Sequence, residues 1–204
     1  MRRAASRSPI ASLFRPVLVL IGIASIALAT GCSTGTNAVD QTAAGQYRFV
    51  SANKKGTLIP AKQRKSAPAF SGQLLDGKGA KLSDYRGKVI ALNFWAAWCS
   101  PCRVEAPDLE KVYRAEQKAG LQILGVDVKD DKQSAQQFIS DKDITYPSFW
   151  DPQGRAALTF RNFNPNAIPS TILIDRKGRV AAVYMAPLID NDLTVAVKPL
   201  LSEK

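Results

Sequence analysis

Two thiols, Cys99 and Cys102, stand in the run Asn93-Phe94-Trp95-Ala96-Ala97-Trp98-Cys99-Ser100-Pro101-Cys102. An apolar, strand-like stretch ends just before them and a helical pattern begins just after. That order puts both sulfurs at the amino end of a helix, where unpaired N–H groups and the helix dipole favour negative charge. A thiolate forms there more readily than on a free cysteine, and the thiolate is the species that attacks disulfides. Cys99 precedes the helix and is expected to be the more exposed thiol and the nucleophile. Cys102 is expected to resolve the mixed disulfide. Zinc needs four ligands, and the chain has no histidine and only three cysteines. Haem attachment needs a histidine after the second cysteine, where Arg103 stands. Redox chemistry without a bound cofactor or metal is favoured over a zinc half-site or a purely structural disulfide.

Glu105 lies three residues beyond Cys102, on the same face of a helix. A buried carboxylate there is able to take the resolving thiol's proton, or else merely complements the helix dipole. Trp98, beside the nucleophile, reads as an apolar contact rim for a partner. Trp95 and Trp150 read as core.

The elements that must hold these groups alternate. Val89–Phe94 reads as a buried strand. A helix follows from Cys102 to Lys118, with Val104, Leu109, Val112 and Tyr113 on its core face and Gly120 at its end. Leu121–Val128 is a second apolar strand. Asp131–Asp141 is a helix with Ala135, Phe138 and Ile139 inward. Tyr146–Trp150 is a short extended run, and Arg155–Phe160 a short helix. Thr171–Ile174 and Arg179–Tyr184 form a hairpin about Asp175-Arg176-Lys177-Gly178. Leu188–Ser202 closes the chain as an amphipathic helix. Upstream, Leu74–Gly79 is a hairpin centred on Asp76-Gly77. The order is β-α-β-α-β-β-α, an α/β fold with a mixed central sheet flanked by helices, an N-terminal β-hairpin and an extra strand–helix insertion.

The 204 residues suffice for one such domain with extensions. Residues 1–31 read as a signal peptide. Arg2, Arg3, Arg7 and Arg15 precede an uncharged apolar run of 13 residues, Val17–Ala29, shorter than the ~20 a spanning helix needs. Leu28-Ala29-Thr30-Gly31-Cys32 resembles the lipobox of bacterial lipoproteins, which implies a lipid on Cys32 and accounts for the odd cysteine. Residues 32–66 read as a flexible basic tether, suited to anionic headgroups, and 67–204 as the folded domain. Despite a net charge of +11, export argues against a nucleic-acid partner. The expected location is the extracytoplasmic face of the cell membrane.

The motif run, Pro107 five residues after Cys102, and Ile168-Pro169 ahead of a strand resemble thioredoxin-fold oxidoreductases. The entry Leu-Ser-Asp-Tyr-Arg-Gly-Lys, the hairpin, the insertion and Ile-Asp-Arg-Lys-Gly-Arg-Val make the TlpA/ResA-like family the nearest match. The resemblance covers about residues 67–203. It implies a thioredoxin fold, a cis Ile168–Pro169 bond facing the cysteines, and a substrate peptide pairing with the Ile168 backbone. It implies a proton-handling role for Glu105, since Asn93 stands where thioredoxin carries its buried aspartate. It also implies a reductase that keeps apocytochrome c cysteines reduced, fed by a CcdA/DsbD-type membrane donor. Ser-Pro between the cysteines lacks the histidine of strong oxidants. The expected potential is therefore nearer thioredoxin's, about −270 mV, than DsbA's, about −120 mV. The alternatives are a disulfide-forming oxidase, a binding or chaperone module on the same fold, and a peroxiredoxin-type peroxidase. The last needs threonine where Ala96 stands.

Overall fold

The computed structural model describes residues 58–160, 163–164, 166–189 and 191–203. The leader, Cys32 and most of the tether lie outside them. Seven strands form one sheet in the order β2-β1-β5-β4-β3-β6-β7. These are β1 (Ser71–Leu74), β2 (Gly79–Lys81), β3 (Val89–Trp95), β4 (Leu121–Val128), β5 (Ser148–Asp151), β6 (Ser170–Ile174) and β7 (Val180–Tyr184). The helices are α1 (Ser100–Glu116), α2 (Lys132–Asp141), α3 (Arg155–Thr159) and α4 (Asp192–Ser202). This is the mixed-sheet thioredoxin fold that the alternation of strands and helices implies.

Strand β3 is central. It runs parallel to β4 and antiparallel to β6, and all seven of its residues are buried. A strand covered on both faces is apolar throughout rather than alternating. Ala91 and Trp95 pack on one face against Ala106, Leu109 and Val112 of α1, Phe138 of α2 and Val197 and Leu200 of α4. Leu92 and Phe94 pack on the other against Phe149, Ala157 of α3, Phe160 and Phe163. Each large side chain fully buried in this way contributes ~1.5–3 kcal/mol. The two cores clamp β3, so the loop that leaves its end starts from a fixed point.

Three local expectations are corrected. Val104 is 62% exposed, not core. The buried stripe of α1 runs through Cys102, Glu105, Ala106, Leu109 and Val112, and Val104 falls on the opposite side of a 3.6-residue period. Trp150 is only half-buried, with the Lys132 ammonium 5.6 Å from its ring centroid. The last helix starts at Asp192, with Asn191 as its N-cap, rather than at Leu188.

Residues 58–66, read from the sequence as tether, pack on the domain. Ile59 N–H donates to Ala181 O at 2.7 Å, and Val180 N–H to Lys65 O at 2.8 Å. The Arg64 guanidinium is buried and bonds Asp175 at 3.1 Å and Glu203. Burial alone would raise the Asp175 carboxyl. The Arg179 N–H, the Arg179 side chain and Arg64 outweigh it and hold Asp175 below the usual carboxylate range. Removing one partner of a buried pair strands the other. Arg64→Ala is expected to lower the unfolding free energy by about 3 kcal/mol, read as a lower urea midpoint at unchanged slope. An unchanged midpoint would show that the segment is merely draped on the surface.

Candidate active site

Cys99 is the N-cap of α1. The two sulfurs form a disulfide, S–S 2.12 Å. Pro101 has no N–H to offer, and within the first turn the Cys102 N–H donates to Cys99 Sγ at 3.3 Å. The same donor is placed to stabilise charge on that sulfur once the bond opens. Cys99 is 4% exposed and Cys102 2%, so access differs little in this oxidised state. Trp98, by contrast, is 60% exposed. Its indole N–H donates to Lys129 O at 3.0 Å, which holds the ring over the loop after β4.

Glu105 is 1% exposed. Its Oε1 accepts the Leu188 N–H at 2.7 Å and its Oε2 accepts the Asn93 amide at 3.2 Å. Asn93 also donates to Thr171 Oγ1 at 3.1 Å. The carboxyl is thus tied to β3, to β6 through Asn93, and to the segment ahead of α4. Burial pushes it up to about 7, against the two hydrogen bonds that favour its charged form. A carboxyl poised near neutrality, one helical turn beyond Cys102, exchanges its proton easily at physiological pH.

The Ile168–Pro169 bond is cis. Because Ser170 pairs with Phe94 across β6 and β3, Pro169 arrives beside the end of β3, where the motif loop begins. Ile168 is half-buried and packs at the margin of both cores. The Lys129 ammonium donates to Asn166 Oδ1, joining the loop after β4 to the loop ahead of Pro169. A cleft of about 620 Å³ beside the disulfide is lined by Ala97, Trp98, Arg103, Asp130, Ser134 and Phe138, among others.

Sequence reasoning missed three contributors. Asn93, which replaces thioredoxin's buried aspartate, donates to Glu105. Asp130 Oδ2 accepts the Ala97 N–H at 2.6 Å and so holds the loop that carries Cys99. Asp127 is wholly buried on β4. Its signal was present, a lone acid in the apolar run Leu121–Val128.

Residues 64–183 match the model of the AhpC/TSA family. The thiol-disulfide oxidoreductase ResA of Geobacillus thermodenitrificans is 34% identical over 128 residues, which is 63% of this chain and 72% of the relative. The thiol:disulfide interchange protein HelX of Rhodobacter capsulatus is 31% identical over 161 residues, 76% of this chain and 86% of HelX. This chain belongs to the AhpC/TSA family, among its TlpA/ResA-like thiol–disulfide oxidoreductases. A secreted thiol-disulfide isomerase from Corynebacterium glutamicum superposes with a TM-score of 0.72 at 31% identity, covering 78% of this chain and 98% of that one. A DsbF homologue from Corynebacterium diphtheriae gives 0.70 at 30% identity, covering 76% and 98%. As a TlpA/ResA-like enzyme the protein exchanges disulfides with protein substrates.

Glu105 also sets a pH dependence of stability. Its folded pKa is raised from 4.5 to about 7, so between those values the folded state keeps a proton that the unfolded chain has lost. Stability therefore falls as pH rises through that window, by about 3 kcal/mol from this group. Urea unfolding of the oxidised protein is expected to lose this part of the slope in Glu105→Gln. An identical slope in that variant would mean the carboxyl is ionised throughout.

Proposed function

We propose that the protein is a membrane-tethered thiol–disulfide reductase on the extracytoplasmic side, acting on the cysteine pair of an apocytochrome c. The observation that carries the reading is the buried Glu105 beneath a sulfur pair at a helix amino end. In the reducing direction the Cys99 thiolate attacks a substrate disulfide, one substrate sulfur leaves as a thiolate and is protonated, and a mixed disulfide forms. Glu105 takes the Cys102 proton. The Cys102 thiolate then attacks Cys99 Sγ, the second substrate thiolate leaves, and the Cys99–Cys102 bond closes. Two electrons from a CcdA/DsbD-type membrane donor return the pair to the dithiol.

Trp98, Ile168 and Pro169 would form the rim against which the substrate peptide lies. A lipid on Cys32 would hold the domain near its donor and near the site of haem attachment. Among the described residues no helix is long and apolar enough to cross a membrane, so the reading of tethering rests on the sequence of the leader. The match to ResA and HelX supports the exchange chemistry, and the apocytochrome substrate follows from the family resemblance.

Cys102→Ser is expected to trap extracytoplasmic substrates as mixed disulfides on Cys99, and Cys99→Ser to abolish insulin reduction. Recovery of apocytochrome c among the trapped proteins supports the substrate assignment. A trapped set without it, or a potential near DsbA's, about −120 mV, would turn the reading to an oxidase of secreted proteins. In the reduced protein, Glu105→Gln removes a negative charge beside the resolving thiol and is expected to lower the Cys102 thiol pKa. An unchanged value there would end the proton-transfer role.

A further inference from the structure

Asp127 is buried on the α1 side of the sheet, as Glu105 and Glu110 of α1 are, and the exchange chemistry above does not use it. It faces that side because it alternates with Leu121 and Ile123, which lie in the same core as Cys99 and Cys102. It is fully buried, no donor among the described residues meets its oxygens, and the Asp130 carboxyl is the side chain within hydrogen-bonding reach of it. Its neighbours across the sheet are Trp95 on β3 and Trp150 on β5. Three residues further on, Asp130 Oδ2 holds the Ala97 N–H at 2.6 Å, two residues ahead of Cys99.

The charges around Asp127 are mostly of its own sign. Asp130 and Asp131 stand on the loop and cap ahead of α2, and Asp151 ends β5. The nearby cations are engaged elsewhere. Lys129 donates to Asn166, Lys132 lies over the Trp150 ring, and Arg103 of α1 donates to Ala97 O and lies over Phe138. The buried acids of α1 are satisfied, Glu105 by Asn93 and Leu188 and Glu110 by Arg114 and Thr145. A buried carboxylate without a partner or a cation is the costly form, and the neutral acid is the one that fits.

We propose that Asp127 and Asp130 act as a pair that positions the Cys99 loop, with Asp127 as the neutral acid so that Asp130 alone bears charge and grips the Ala97 amide. Ionising Asp127 sets two carboxylates against each other and loosens that grip. Burial first, and the Asp130 charge next, push the Asp127 carboxyl up to about 8. The loop is therefore held below that pH and released above it. The grip itself is read on the oxidised protein and is independent of which sulfur attacks. Only its kinetic consequence rests on Cys99 being the nucleophile.

The test is a pH titration of the Ala97 amide proton by NMR in the oxidised protein, where neither cysteine titrates. The wild type is expected to show a shift with its midpoint near 8. Asp127→Asn is expected to lose that step, and Glu105→Gln to keep it. Asp130→Asn is expected to move the amide upfield at every pH. An Ala97 amide that does not move through this range, or that moves equally in Asp127→Asn, overturns the pairing. Should Asp127→Asn not fold, the side-chain carboxyl ¹³C shift of Asp127 in the wild type decides, with a midpoint under pH 6 against the proposal. In kinetics, the ratio of exchange rates at pH 9 and pH 7, corrected for thiolate fraction, is expected to rise roughly threefold in Asp127→Asn. If the amide step is present and this ratio is unchanged, the grip stands but the Ala97 tie does not limit Cys99, which overturns the kinetic half alone.

Discussion

A carboxylic acid held in an apolar core under a disulfide is the constraint around which this domain is arranged. Glu105 is tolerated there only because two donors meet it, the Asn93 amide from β3 and the Leu188 N–H from the segment ahead of α4. Those partners cost the fold something visible. The central strand gives up one apolar position to an asparagine, and a backbone amide ahead of the last helix is committed to the carboxyl. Burial still outweighs the donors, and the acid sits near neutrality rather than near its ordinary value. That compromise suits the proton-transfer role proposed for Glu105.

The sulfur pair is set by simpler means. Clamping β3 between two cores fixes where the loop begins, and the cap position of Cys99 fixes where it ends. Between these, the Ala97 amide is tied to Asp130 and the Trp98 indole to Lys129 O. Lys129 also reaches Asn166. Three stretches distant in sequence, the motif loop, the loop after β4 and the loop ahead of Pro169, are therefore linked by polar contacts around the cysteines. The position of one such loop thus depends on the state of the others.

Much of this was legible in the sequence, for physical reasons that differ by element. Strands β3 and β4 are buried on both faces, so their mainly apolar runs announced them. The Asp76-Gly77 turn announced the hairpin through the one residue that takes φ +92° without strain. The face of α1 was harder. Val104 looked like core by residue type, yet the helix turns Glu105 inward and leaves Val104 out. Residue type ranks preference for burial, but geometry and available donors decide it. Asn93 was read for what it lacks as a base, when its value lies in donating. Asp130 could not be found without the loop geometry that brings Ala97 to it. Residues 58–66 looked like tether because their composition is polar and basic, and a single buried arginine reverses that impression.

The docking of that segment changes the outline of the sheet. Strand β7 has β6 on one side, and on the other it meets Ile59, Lys65 and Ser66 through backbone pairing, with the Arg179 side chain reaching Ala61 O. Those contacts pair its outer rim from Arg179 to Ala181. Among the described strands, the rim still open is the three-residue β2, which is short and ends in a lysine, a poor template for stacking. Neighbouring copies thus find little purchase at these two edges for joining sheet to sheet.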